Sequence, residues 1–110
     1  MSDKLLNVLE RCMTACGKCI NECLTSMDPS RQKMIRLAWD CMEVCSMAAR
    51  YVARGSRFTN ELLTLCSQMC KACEVECRSV MGADHSCAEV CHECHLACAL
   101  VAQPNFGRDR

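Results

Sequence analysis

Cysteines at Cys12, Cys16, Cys19 and Cys23 are separated by steps of four, three and four residues. The same C-x3-C-x2-C-x3-C pattern returns at Cys66, Cys70, Cys73, Cys77 and again at Cys87, Cys91, Cys94, Cys98, with a shortened copy at Cys41 and Cys45. Alternating steps of four and three are the a/d spacing of a heptad, so each copy places its sulfurs on one stripe of an α-helix. That stripe is the surface a helix buries against its neighbours, and here it carries thiols where Leu and Ile usually stand. A lone buried cysteine needs no explanation. Three copies of one four-thiol stripe do.

Every long segment has helical period and none alternates as a strand does. The first helix is expected over about residues 3–27, with a seam of Leu5, Leu9, Cys12, Cys16, Cys19 and Cys23. Gly17 lies inside it, where it costs about 1 kcal/mol in propensity and suggests a close helix approach. Pro29 suits the first turn of a new helix, with Asp28 as N-cap, so the second helix is expected over about residues 29–53. Its seam reads Met34, Ala38, Cys41, Cys45, Ala48 and Val52, with alanines where the other copies carry cysteine. Gly55 is a C′ residue. The third helix follows over about residues 59–81, with seam Leu63, Cys66, Cys70, Cys73, Cys77 and Val80. The fourth runs over about 84–102, opened by a Ser86/Glu89 capping box and ended before Pro104, with a tail from Asn105 to Arg110. Four helices with short links predict an all-α fold, an antiparallel up-down-up-down four-helix bundle with a thiol-lined core. The 110 residues make one domain, 1–110.

Antiparallel packing fixes which ends meet. Leu5, Leu9, Val52, Leu63 and Val101 collect at one end as a dry apolar plug. Met27, Met34, Met81 and His85 collect at the other, with Cys23, Cys77 and Cys87 just inside. Between the ends lies a tube of thiols about 16 Å long, from about eleven residues at 1.5 Å each.

Thirteen basic and thirteen acidic residues cancel, which leaves no electrostatic case for nucleic acid or an anionic membrane. The sequence turns polar within its first seven residues, without a signal-peptide core, and no uncharged apolar run approaches a membrane span. A cytoplasmic address follows, where thiols stay reduced and many cysteines point to metal before disulfides.

Thiolate is a soft ligand that selects Cu(I), Zn(II) or iron–sulfur clusters. Charge favours copper. Fourteen thiolates carry fourteen negative charges, and a buried uncompensated charge is very costly. Bridging Cu(I) ions at about one per thiolate neutralise the tube. Tetrahedral zinc would leave each four-thiolate site at −2. Zinc is therefore the runner-up metal. The methionines at the open end fit a Cu(I) entrance, since thioethers bind Cu(I) and are poor zinc ligands. Met13, Met42, Met47 and Met69 fall off the seam and read as packing.

With these residues in view, the sequence resembles the cytosolic bacterial copper storage proteins, over about Leu5 to Val101. The carrying features are the three repeated motifs, the two-cysteine second helix and the Asp84-His85-Ser86-Cys87 entry to the fourth helix. The resemblance implies four-helix bundles lined with cysteine, many Cu(I) ions per chain in thiolate-bridged sites, and a homo-oligomer, often a tetramer of bundles. It also implies His or Met at the open end, matched in position by Met27, Met34, Met81 and His85.

Other motifs weigh less. Cys91-His92-Glu93-Cys94-His95 matches the C-x-x-C-H haem attachment pattern, but its cysteines belong to a stripe repeated elsewhere without His. His92 and His95 fall at b and e positions, a partly solvated surface, with a surface metal site at His95 as the alternative. Thiol–disulfide exchange expects a βαβ context, and no strand is visible. Lys18, Glu22, Lys71, Glu74 and Glu76 read as solvated faces with some i,i+4 pairing. The expected function is a Cu(I) store and not an enzyme, with metal ligands Cys12, Cys16, Cys19, Cys23, Cys41, Cys45, Cys66, Cys70, Cys73, Cys77, Cys87, Cys91, Cys94 and Cys98. Its partners are copper ions and a copper carrier or small thiol donor. A copper chaperone and a zinc-stabilised interaction module are the competing readings.

Overall fold

In the computed structural model, which describes residues 2–102, four α-helices follow in order: α1 (Ser2–Ser26), α2 (Gln32–Ala53), α3 (Thr59–Val80) and α4 (Ser86–Ala102). The expected stop at Pro104 and the tail from Asn105 lie outside the described residues. Neighbours in sequence are neighbours in space, and α4 closes back on α1, so the helices form a four-sided bundle. The 49 × 21 × 19 Å extents are those of an elongated bundle about one helix long. No strand occurs among the described residues.

The breaks follow local chemistry. Asp28 caps as expected, its carboxylate accepting from the Ser30 backbone N–H at 2.9 Å, which holds it below the usual carboxylate range. The turn it opens is a short 3-10 helix, Pro29–Arg31, and α2 proper begins only at Gln32. Gly55, at φ 65°, ends α2 in a Schellman motif: its N–H reaches Val52 and the Ser56 N–H reaches Tyr51.

Two expectations at helix ends change. Met27 does not continue α1; it adopts φ 55°, a left-handed conformation that terminates the helix, and its side chain is 86% exposed. The fourth helix is capped by His85 and not by Ser86, which is already its first residue. The His85 Nδ1 accepts from the Cys87 N–H at 3.1 Å, taking the place of a Ser hydroxyl. Gly17 is not required for helix approach either. A Cβ there would meet Met42 Sδ at 3.7 Å, an ordinary contact.

The core follows the sequence stripe. Leu5, Leu9 and Leu63 are buried at one end, with Val52 and Val101 packed against them. Beyond this plug the buried interior is mostly sulfur. Ala38 and Ala48 are fully buried on α2.

Candidate metal centre

All fourteen cysteines are free thiols, and none is more than 2% exposed. Their sulfurs touch at 3.5–4.0 Å, both across helices (Cys41–Cys70, Cys45–Cys66, Cys12–Cys91, Cys66–Cys98) and one turn apart along a helix (Cys87–Cys91, Cys94–Cys98). From the plug outward, five groups succeed one another whose sulfurs all lie within 4.8 Å: Cys66/94/98, Cys12/45/70/94, Cys12/16/41/91, Cys16/73/87/91 and Cys19/77/87. Each has a spacing at which a soft ion can bind several sulfurs.

The groups interlock. Cys12, Cys16, Cys87, Cys91 and Cys94 each belong to two of them. A shared thiolate is a bridging ligand, so the arrangement suits a chain of monovalent ions linked through sulfur. The alanines on α2 have a visible consequence: past Cys41 the groups draw on α1, α3 and α4 alone, and the fully buried Ala38 follows on α2.

Protonation in the tube is collective. Neighbouring sulfurs and burial hold Cys16, Cys45, Cys70, Cys91 and Cys98 above the ordinary thiol range. The S–H groups of surrounding thiols favour the thiolate at Cys12, Cys66 and Cys87. Cys77 is favoured as thiolate by Cys19, but Cys87 and burial outweigh this and push it up to about 12.

The far end is narrower than the sequence suggests. Met34 is fully buried, and Met81 covers Cys23 with its Sδ 3.7 Å from the Cys23 sulfur. His85 lies 3.6 Å from the Cys77 sulfur through Nδ1, and its Nε2 is 2.9 Å from the Glu22 carboxylate. Because Nδ1 accepts from the Cys87 backbone, the proton of the neutral ring sits on Nε2 and is donated to Glu22. Met34, Met81 and His85 thus meet the tube's end, whereas Met27 stands outside on the surface. A groove of about 860 Å³ between α1 and α4 reaches both Cys19 and His85.

Sequence reasoning placed one carboxylate wrongly. Glu22 lies on a solvated face as expected and pairs from there with His85. Glu74, also read as a solvated face, is instead only 5% exposed. Burial alone would raise Glu74, but hydrogen bonds from Arg78 and His92 prevail and hold it below the usual carboxylate range. His92 remains half-exposed; the His95 side chain is only 16% exposed. Burial, reinforced by the charge of Lys71, disfavours the protonated form of His95.

Against known proteins, the family model described as copper storage protein matches residues 1–103. An uncharacterized cysteine-rich protein of Bacillus subtilis, YhjQ, is 34% identical over 89 residues, 80% of each chain. The apo structure of copper storage protein 3 from Bacillus subtilis superposes with TM-score 0.82 at 29% identity, over 93% of this chain and 99% of that one. A Cu(I)-bound structure of the copper storage protein BsCsp3 gives TM-score 0.75 at 28% identity, over 93% and 94%.

Proposed function

The chain belongs to the copper storage protein family, and we propose that it stores Cu(I) along the whole tube, with all fourteen cysteines as ligands. The observation that carries this reading is the interlocking of five fully buried thiol groups. Each arriving Cu(I) replaces a proton on a thiol, forming a Cu–S bond and releasing H⁺, so the tube stays near neutral as it fills. Divalent zinc in separate tetrahedra makes poor use of shared sulfurs and leaves charge behind. A chaperone needs an exposed, exchangeable site; every thiol here is buried, which favours capacity over hand-off. The chain acts as a store and not as an enzyme.

Entry is at the His85 end. There a neutral imidazole, the Met81 and Met34 thioethers and Cys23 offer weak and then strong soft ligands in order of depth. A copper carrier or small thiol donor would deliver the ion at this end, where the α1/α4 groove reaches Cys19. Among the described residues no helix is long and apolar enough to cross a membrane. The free thiols fit a reducing compartment, the cytoplasm. Exposed Leu65, Leu96 and Leu100 suit assembly of bundles into a homo-oligomer, a tetramer by likeness to the family.

X-ray absorption at the copper edge of the anaerobically loaded protein tests the reading. A sulfur-only shell with a short copper–copper vector supports bridged sites. Isolated four-sulfur sites without that vector would count against them.

A further inference from the structure

Outside the thiol tube, one cluster of metal-ligating side chains has no part in copper storage. Glu74 on α3 and His92 and His95 on α4 converge on the outer seam of these two helices. His92 Nδ1 is 3.2 Å from Glu74 Oε1, and His95 Nε2 is 3.9 Å from the same oxygen. The two rings meet edge to face with centroids 5.4 Å apart. From this geometry we infer a second metal site, formed by the Glu74 carboxylate, His92 and His95, for a divalent borderline cation of the Zn(II) class.

Three observations carry it. The first is donor type: two imidazoles and a carboxylate, with no sulfur, suit Zn(II) and not Cu(I). The second is spacing. Ligands bound at about 2.0–2.1 Å in a tetrahedron stand about 3.3–3.4 Å apart. The 3.2 Å separation already fits, and the 3.9 Å one needs to close by about half an ångström, within the reach of a side-chain rotation. The third is the state of the ligands. The Glu74 carboxylate is nearly fully buried, and the largely buried His95 ring makes no hydrogen bond among the described residues, so its Nε2 is uncommitted.

Two cations also face Glu74. Arg78 holds Oε2 through Nε at 2.9 Å, is itself anchored by a second hydrogen bond to the Ala83 carbonyl, and shares that oxygen with His92 Nδ1 at 3.1 Å. Oε1 is the oxygen that both imidazoles approach, which makes it the ligand atom. Lys71 Nζ lies 3.6 Å from Oε1, but its side chain is half-exposed and flexible, so an incoming divalent ion displaces it. Each ligand directly follows a tube cysteine in sequence: Cys73–Glu74, Cys91–His92 and Cys94–His95. A bound ion therefore staples α3 to α4 directly outside the tube without taking a sulfur from it. The two metals are sorted by donor chemistry, with soft Cu(I) inside and a borderline divalent ion on the seam.

The test follows imidazole nitrogens by long-range proton–nitrogen NMR on ¹⁵N-labelled full-length protein, filled anaerobically with Cu(I) and then titrated with zinc chloride. His92 Nδ1 and His95 Nε2 are expected to shift together toward the metal-bound range, saturating at a single zinc per chain while His85 stays put. Glu74→Gln and His95→Ala are each expected to weaken this zinc at least about tenfold, since loss even of groups behind metal ligands costs that much. Nitrogens that do not move, or that move equally in Glu74→Gln, would overturn the site. If the tube takes no Cu(I), the same nitrogens are read after zinc itself has satisfied the thiols, so failure of the storage reading and failure of this site are told apart.

Discussion

Raising the pH should destabilise the copper-free bundle while leaving the copper-filled one unchanged. In the apo protein, neighbouring sulfurs and burial keep Cys16, Cys45, Cys70, Cys91 and Cys98 protonated above the ordinary thiol range, and Cys73 and Cys94 are raised as well. In the unfolded chain each has a pKa of about 8.5. The folded state thus binds more protons above that value, and stability falls as pH rises. At pH 9 the loss is about 1 kcal/mol for each raised thiol. Cys12, Cys41, Cys66 and Cys87 are shifted the other way and offset part of this, so the net loss over the tube is on the order of a few kcal/mol. A whole domain of this size has only about 5–15 kcal/mol of stability, so this net loss should lower the apo urea midpoint clearly by pH 9.5. Copper removes the effect, because its thiolates carry no proton to lose. The assay is urea denaturation followed by circular dichroism, under strict anaerobiosis with a non-thiol reductant, from pH 7 to pH 9.5. A flat apo urea midpoint across this range, or an equal fall in the copper-loaded protein, would refute the reasoning.

Other perturbations separate stability from loading. Gly17→Ala should stabilise the apo protein by about 0.5–1 kcal/mol, since a helix interior favours Ala and the site has room for the methyl; a lower urea midpoint would show a hidden clash. Met27→Gly should stabilise the end of α1 by up to about 1–2 kcal/mol by relieving a left-handed residue, and leave copper uptake unchanged. Leu9→Ala in the apolar plug should cost about 2–5 kcal/mol by the same denaturation assay without changing copper capacity. His85→Ala should slow Cu(I) uptake in stopped-flow mixing with a Cu(I)–chelator complex while final capacity holds; unchanged rates would remove His85 from the entry path.

The thiol stripe could be read from sequence because it depends only on helical period. The a/d spacing fixed which face of each helix turns inward, and the plug residues Leu5, Leu9 and Leu63 lie on the same stripes. What escaped was set by partners from other helices or by the backbone at an end. Met27 continues the four-residue step from Cys23, yet α1 has already stopped, and no periodicity signals a left-handed terminator at a methionine. Ser86 with Glu89 satisfies a capping box on paper, but the imidazole of His85 reaches the Cys87 N–H first. Glu74 sits one step off a seam cysteine, where a charged residue reads as solvated. Its burial arises because His92 and His95 come across from α4 and Arg78 folds back over it. The Cys91–His95 segment held part of that signal: two histidines three residues apart on a helix face mark a place where a carboxylate from a neighbour can meet both.

The central claim is that the whole tube fills. Its most direct test is anaerobic titration of the fully reduced protein with Cu(I) against a competing chromophoric chelator, with total metal read by atomic absorption. Uptake near one ion per cysteine is predicted, with every thiol engaged. Saturation at about three or four ions, with zinc readily displacing copper, would mean separate tetrahedral sites and would contradict a store built on shared sulfur.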